Sequence, residues 1–521
     1  MSQQYVAQHP EVRQWQEARW NRLSDRFKTK MTWLEGKPKD EWHSFDRQPW
    51  KHPWLTPGNI RSFRTFSDDW LAVLKVLFDA RDDTSKRYAF VGNMANNLYV
   101  RAKALAHRDL SIDTYLHPHD NFLMSQPAWE EYDGDVPEGV STLAAACAAG
   151  VQLPVVPAIY RHGTVSWTSI TANDLVGSMR YMDLKRFPDY FAYFPTLQEL
   201  QKYDALLGVQ VPYLAYLSGR PYAVTQMGGD IWYECSRDDL YGRLQRLAFK
   251  KAGAFIVSNP WSLAFARRYG MRNMIYLPFL IDENKYSPGH AQYRNEWVAQ
   301  TGGDFFVMMS SRLDYVFKGS DLAIKAFARF AQQVPGARLV IAGWGADQAR
   351  AEKLFDDLGI ANKVLVVPVA GKKKLVGYLR SADCMVDQLT LGYYGASALE
   401  AMACGLPVVM NLNHEQYDAL LPEGCAPVCQ AVTEDEVLAH LLNLAANASR
   451  RLVVGTRLRS WFLQTHSNAR WGEMYEAVLW GTATRQLPAF RTSPLAAAVG
   501  KDEFKYHAKE LKSAPQFPSY V

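Results

Sequence analysis

The residue types best suited to chemistry fall between positions 310 and 410. Arg312 and Lys318 bound a short loop, Ser311 to Gly319, that follows an apolar run and precedes a helical one. Both cations would emerge at the carboxyl edge of a parallel sheet, where open α/β folds bind their ligands, and two fixed positive charges there suit a diphosphate. Gly343 and Gly345 flank Trp344 at the end of the next apolar run and allow a close backbone approach to a ligand. A dinucleotide fingerprint would need a third glycine at 348, and the chain has Gln348, so nicotinamide chemistry loses weight. The run Gly392-Tyr393-Tyr394-Gly395-Ala396-Ser397 leads into a helix expected to begin near Ala396, whose free amides and positive dipole end seat a phosphate. One turn further, Glu400 offers a carboxylate that accepts two hydrogen bonds at once, as the hydroxyls of a ribose would ask. Against each stands a plainer reading, a surface loop with ordinary charges. Their order along the chain, each after a strand, weighs against it.

Strands and helices must deliver these groups to one edge. From Tyr88 short apolar runs alternate with helical stretches, the pattern of a parallel sheet covered by helices. Strands are expected at Tyr88–Val91, Ile112–Leu116, Ala205–Val209, Tyr222–Thr225, Ala254–Val257 and Met274–Leu277. A second block follows at Phe305–Met309, Arg338–Ala342, Lys363–Val367, Cys384–Asp387, Pro407–Met410 and Pro427–Gln430. A helix over Asp321–Gln333 carries Ala323, Phe327, Phe330 and Ala331 on one face. The fold class is α/β, with two Rossmann-like units, 86–285 and 286–480, joined near Pro278 to Pro288. Residues 1–85 read as a helical extension, with helices at Pro10–Trp33 and Ser67–Ala80, and 481–521 as a tail expected to pack back on the first unit. The aromatic, poorly periodic region of about 120–200 reads as an elaboration outside the core.

Composition narrows the classes. A chain of 521 residues exceeds what one core organises, and 48% hydrophobic with 21% charged residues argues against extended disorder. The net charge of +5 is spread over short clusters such as Lys250-Lys251, Arg267-Arg268 and Lys372-Lys373-Lys374, which suits an anionic ligand or membrane surface and lacks the concentrated basic element of a nucleic-acid binder. Six cysteines without metal-type pairing, Cys425 and Cys429 being the nearest two, fit a reducing cytoplasm. Met1 to Arg19 lacks the apolar core of a signal peptide, and the apolar run Leu143–Tyr160 holds Gln152 and two prolines, so it reads as buried rather than membrane-spanning.

Taken in order, Arg312, Lys318-Gly319, Gly343-x-Gly345 and the run from Glu400 through Cys404-Gly405-Leu406-Pro407 to Val409 closely resemble the donor domain of the family 4 retaining glycosyltransferases, glycosyl transferases group 1, of the GT-B fold. The resemblance is specific over roughly 300–480, weaker over 86–290, and absent over 1–85. It implies two Rossmann-like domains facing each other across a cleft. It further implies that Arg312 and Lys318 bind the diphosphate of a UDP- or GDP-sugar, Glu400 its ribose, the amides of Gly395, Ala396 and Ser397 its phosphates, and the backbone around Val369 its base. Tyr394 belongs to the same donor loop. The expected acceptor is a glycan, lipid-linked or other hydroxyl, with retention of configuration, no protein-held metal and no other cofactor. The expected location is cytoplasmic, with peripheral contact at the inner face of the membrane open to the Trp and basic clusters.

The chain departs from the family pattern in places. Where the family carries a second Glu on the donor sugar, this chain has Gly392, which turns attention to Asp387 and Gln388 at the end of the preceding strand. The family's N-terminal histidine has no counterpart in Asp204 to Gln210. Gly92 and Asn93 occupy the family's glycine loop facing donor and acceptor, where Asn side chains bond hydroxyls. Gly228-Gly229-Asp230 resembles the family's His-Gly-x-Asp element with the histidine lost; Asp230 reads equally as a catalytic carboxylate orienting the acceptor and as a helix cap. His117 and His119 read as loop residues, and Asp133-Gly134-Asp135 as a turn rather than a metal site. Two other functions stay open: an inactive partner that only binds the nucleotide sugar, and a sugar-nucleotide epimerase on the same fold.

Overall fold

The computed structural model describes residues 54–495, except 83–84, 111, 117–124, 138–139, 141, 153–161, 165–192, 233, 238–239 and 492. The helices expected at Pro10–Trp33, the two loop histidines and residues 496–521 lie outside the described residues.

Two parallel sheets carry the chain. The first runs in the order β3-β2-β1-β4-β5-β6-β7, built from β1 (Tyr88–Val91), β2 (Ile112–Leu116), β3 (His162–Thr164), β4 (Ala205–Gly208), β5 (Tyr222–Thr225), β6 (Phe255–Val257) and β7 (Met274–Tyr276). The second runs β10-β9-β8-β11-β12-β13, from β8 (Phe305–Met309), β9 (Ala337–Ala342), β10 (Val364–Val367), β11 (Cys384–Val386), β12 (Val408–Met410) and β13 (Cys429–Gln430). The central strands are apolar at consecutive positions, not alternate ones, because helices cover both faces: every residue of β8 and β9 is buried. Every strand expected from the sequence is present to within a residue or two. β3 was missed, since three residues, His162-Gly163-Thr164, carry no apolar signal and are placed only by pairing with β2. Two parallel, helix-covered sheets of this kind form the GT-B fold.

Nine helices are labelled here because they position the site or close the fold: α1 (Pro57–Asp79), α2 (Asn97–Ala106), α3 (Pro127–Glu131), α4 (Ser320–Gln333), α5 (Lys372–Ser381), α6 (Ala396–Ala403), α7 (His414–Leu420), α8 (Ala448–Thr465) and α9 (Asn468–Thr484). α1 starts ten residues before the periodicity alone places it. Thr56 caps it through the Asn59 amide at 3.2 Å and Pro57 holds its first position. Its buried face, Ile60, Phe63, Trp70, Leu74 and Phe78, packs beside β7, α7 and α9.

The chain passes between the sheets twice, and the passages adjoin. Ile281 pairs with Ser467 in a parallel bridge, the His466 ring meets the Phe279 carbonyl at 2.8 Å, and the Asn468 and Ala469 amides donate to Glu283. α9 then lies on the first sheet, so residues 468–480, grouped with the second unit by sequence, pack with the first: Tyr475, Val478, Leu479 and Trp480 share a core with Tyr88, Phe90, Leu207 and Ile256. The described tail follows, with Phe490 stacked on Trp70 at 5.0 Å.

Candidate functional site

Lys318 ends the β8–α4 loop, and Gly319 after it adopts a left-handed φ of 66° that turns the chain into α4. The turn aims the lysine at the end of β11. There Lys318 Nζ lies 3.2 Å from Asp387 Oδ1, and the Ser397 hydroxyl donates to Asp387 Oδ2 at 2.9 Å. Gly395 caps α6; a methyl built on it would sit 3.0 Å from Gln388 Nε2 and 3.8 Å from Lys318 Nζ. Lys318, Asp387, Gln388, Gly395 and Ser397 thus converge at the carboxyl edge of the second sheet, with Ala396 as the first residue of α6. Burial lowers the Lys318 pKa, Asp387 opposes that, and Arg312 adds to the lowering. Arg312 rests 3.3 Å from Asp314, and its side chain remains 40% exposed. Arg312, on the same loop as Lys318 and half-open to solvent, suits an anion held by both cations.

Glu400 lies one turn along α6 from Ser397 and is buried. Its Oε1 meets Lys372 Nζ, at the start of α5, at 2.5 Å, while its Oε2 has no hydrogen-bond partner. Sequence reading missed Lys372. In the triplet Lys372-Lys373-Lys374 only helix phase separates the buried lysine from its two neighbours, which pair with Glu131 and Asp135.

The 369–374 edge carries a strap from the first unit. Val136 donates its amide to the Val369 carbonyl at 2.6 Å, the Trp129 indole to the Ala370 carbonyl at 2.9 Å, and Gly371 its amide to the Gly134 carbonyl at 2.8 Å. Asp135 bridges Ala370 and pairs with Lys374 at 2.7 Å, while Glu130 pairs with the buried Lys285 at 2.5 Å. The Asp133-Gly134-Asp135 turn therefore docks on the second unit through a single antiparallel bridge, Asp135 to Ala370. Among the described residues no group of three His, Cys, Asp or Glu side chains converges as a metal site, and no helix is long and apolar enough to cross a membrane.

Other expected site residues serve the backbone. Gly345, at φ 122°, has no room for a methyl, which would fall 2.4 Å from the Leu313 carbonyl; the Leu313 amide donates to Trp344 and ties this loop to the Arg312 loop. Gly343 abuts Val366. Gly392, at φ 75°, accepts the Asn413 amide at 2.8 Å. Tyr394 turns inward, stacks on Tyr417 at 4.6 Å and donates to His466 Nε2 at 3.0 Å, so only its backbone belongs to the loop edge.

On the first sheet, Gly92 at φ 83° passes so close to Val209 that a methyl would lie 2.2 Å from its carbonyl oxygen. Asn93 is fully buried and spends its amide on Asn96 and the Ser125 carbonyl, its oxygen on the Tyr99 amide; it braces the loop and leaves no group for a sugar. The Asp230 carboxylate accepts amides from Met227, Gly228 and Ile231 at 2.9–3.1 Å; lying inside the helix Gly229–Trp232, it braces the turn into that helix. Burial outweighs those bonds and pushes its pKa up to about 6. The short helix carrying Asp230 still reaches the second unit: Trp232 meets Phe317, next to Lys318, with ring centroids 5.6 Å apart, and Trp261 meets Tyr393 at 6.4 Å. The carboxyl edges of both sheets thus face one cleft.

Comparison with known proteins bears on the fold and on the second unit. Residues 294–447 match the model of the family "Glycosyl transferases group 1". The GDP-mannose-dependent alpha-(1-6)-phosphatidylinositol dimannoside mannosyltransferase of Mycobacterium tuberculosis is 28% identical over 186 residues, 35% of this chain and 46% of that protein. A D-inositol 3-phosphate glycosyltransferase of Acidothermus cellulolyticus is 36% identical over 101 residues, 18% of this chain and 22% of that protein. These matches span about half or less of the relatives' length. Among solved structures, HepE of Anabaena in complex with UDP and glucose superposes with a TM-score of 0.53 at 15% identity, covering 76% of this chain and 100% of that one. Sucrose-phosphate synthase of Thermosynechococcus elongatus superposes with 0.51 at 17% identity, covering 77% and 99%. On a GT-B scaffold, then, the chain carries a glycosyl transferases group 1 domain over residues 294–447.

Proposed function

We propose that this chain is a glycosyltransferase that moves a hexose-type residue from a UDP- or GDP-sugar to a hydroxyl of a glycan, lipid-linked or other acceptor, with retention of configuration and without a protein-held metal. The observation that carries it is the convergence of Lys318, Gly395 and Ser397 at the carboxyl edge of the second sheet, with half-open Arg312 on the same loop as Lys318. As the bond from sugar to diphosphate breaks, the sugar takes on oxocarbenium character and negative charge grows on the leaving group. Cations and helix-end amides fixed in advance stabilise that charge without reorganising. Glu400, on the same helix as Ser397, is the carboxylate this reading assigns to the ribose hydroxyls. The relatives' use of GDP-mannose and the UDP in HepE support a nucleotide donor for this chain. The acceptor would approach along the edge carrying Gly92 and Gly228, with Asp230 shaping its loop.

The test is a melting-temperature and turnover screen against UDP- and GDP-sugars, since a ligand bound only by the folded state raises its melting temperature. One donor is expected to stabilise the wild type and to be slowly hydrolysed, and Lys318→Ala and Glu400→Ala to lose both effects. Gly392 in place of a carboxylate favours one other reading, a partner that binds the nucleotide sugar without turning it over. Stabilisation by a donor with no product from any acceptor would select that reading. No stabilisation by any donor would sink both.

A further inference from the structure

Asp387 has no exposed side-chain surface, and its two oxygens are divided between Lys318 Nζ at 3.2 Å and the Ser397 hydroxyl at 2.9 Å. A buried carboxylate persists only where partners satisfy it, and here both partners belong to the seat assigned above to the diphosphate. No side chain from the neighbouring loop takes its place, because residue 392 is glycine.

We propose that Asp387 is a positioning residue: it holds Lys318 charged and aimed at the Gly395 edge, and through Ser397 fixes the first turn of α6 at the same point. The proposal rests on the donor reading above. The groups that act on Lys318 are Asp387 and Asp314, which favour its charged form, and Arg312, which opposes it, along with burial, the largest influence against the charge. Removing the Asp387 charge leaves burial and Arg312 against Asp314 alone, so Lys318 should lose its proton at lower pH. A diphosphate would then meet a neutral amine across the upper part of the working range. Ser397→Ala keeps the carboxylate charge and removes only its second tether, so it should weaken aim without altering titration.

The experiment uses the full chain. Wild type, Asp387→Asn and Ser397→Ala are acylated with a small amine reagent across pH 6–10, and Lys318 labelling is read by mass spectrometry without ligand. In parallel, UDP and GDP affinities are measured over the same pH range, with Arg329→Ala, an exposed residue paired to Asp435, as control. The expected result for Asp387→Asn is a labelling midpoint at lower pH than in the wild type and a nucleotide affinity that falls more steeply as the pH is raised. Ser397→Ala is expected to keep the wild-type midpoint and to bind several-fold more weakly at every pH. A folded Asp387→Asn with the wild-type midpoint overturns the proposal. Should Asp387→Asn fail to fold, Ser397→Ala decides, and unchanged affinity overturns it. A shifted midpoint in a chain whose wild type binds neither nucleotide overturns the donor reading and leaves the hold of Asp387 on Lys318 standing.

Discussion

Two glycines of the cleft stand where they do for different reasons, and substitution separates them. Gly92 is held by its own backbone: a methyl there meets a carbonyl oxygen at 2.2 Å in a left-handed conformation. Gly92→Ala is expected to cost about 2 kcal/mol or more of stability, read from denaturant unfolding. Gly395 has an ordinary φ of −102°, and a methyl there meets only the amide end of the Gln388 side chain and the approach to Lys318. Gly395→Ala should lower the melting temperature by no more than a few degrees and weaken nucleotide binding, as calorimetry would show. The sequence displays both glycines after strands but cannot tell a glycine kept for the chain from one kept for a ligand. The same limit applied to Asn93 and Tyr394. Their positions in the loops were legible, but the direction of their side chains depends largely on Ser125, Tyr417 and His466, each more than twenty residues away.

At the scale of elements, the two crossings between the sheets act as one bonded unit, with His466 at its centre. His466 is buried between the Phe279 carbonyl and the Tyr394 hydroxyl, and burial lowers its pKa from 6.5 to about 4. A pKa depressed on folding stabilises above the unfolded value and is lost as pH falls towards the folded one. Between pH 6.5 and about 4, unfolding therefore takes up a proton at this ring, and stability falls by up to about 1.4 kcal/mol per pH unit. His466→Gln should flatten that slope in urea titrations run over the same window. The strap over 129–136 is an element no periodicity announces. It is held by hydrogen bonds to backbone and by ion pairs to Lys285, Lys373 and Lys374, and Asp133 and Asp135 read as a turn until the second sheet is beside them. Trp129→Phe with Lys374→Ala removes the indole donor and the ion pair; hydrogen exchange at Val136 and Gly371 should then rise at least about tenfold, and unchanged exchange would refute the strap as a stable contact. The strands, by contrast, were readable almost throughout, because a helix-covered parallel sheet writes itself as uninterrupted apolar runs.

At the scale of the molecule, the described ends are sewn together. Trp70 donates to the Pro488 carbonyl at 3.0 Å, Arg64 to the Leu420 carbonyl at 2.8 Å, and Arg101 to the Tyr475 hydroxyl at 2.9 Å, each joining residues more than 350 apart. Sequence pattern assigned α9 to the unit it follows, since an amphipathic helix states which face is buried but not against which sheet. A chain ending at Thr465 is expected to be insoluble or to bind a hydrophobic dye strongly, whereas one ending at Phe490 should stay soluble. The reason lies in the order of synthesis. The strands of the first sheet are complete once Tyr276 is made, yet the helix that shares their core, through Tyr475, Val478, Leu479 and Trp480, comes last. At typical elongation rates that leaves roughly 10–40 s during which this face of the finished sheet, covered by α1 and α2, waits for its last helix. The first unit to leave the ribosome is therefore among the last to become a folded one, and the nascent chain has to be shielded over that interval.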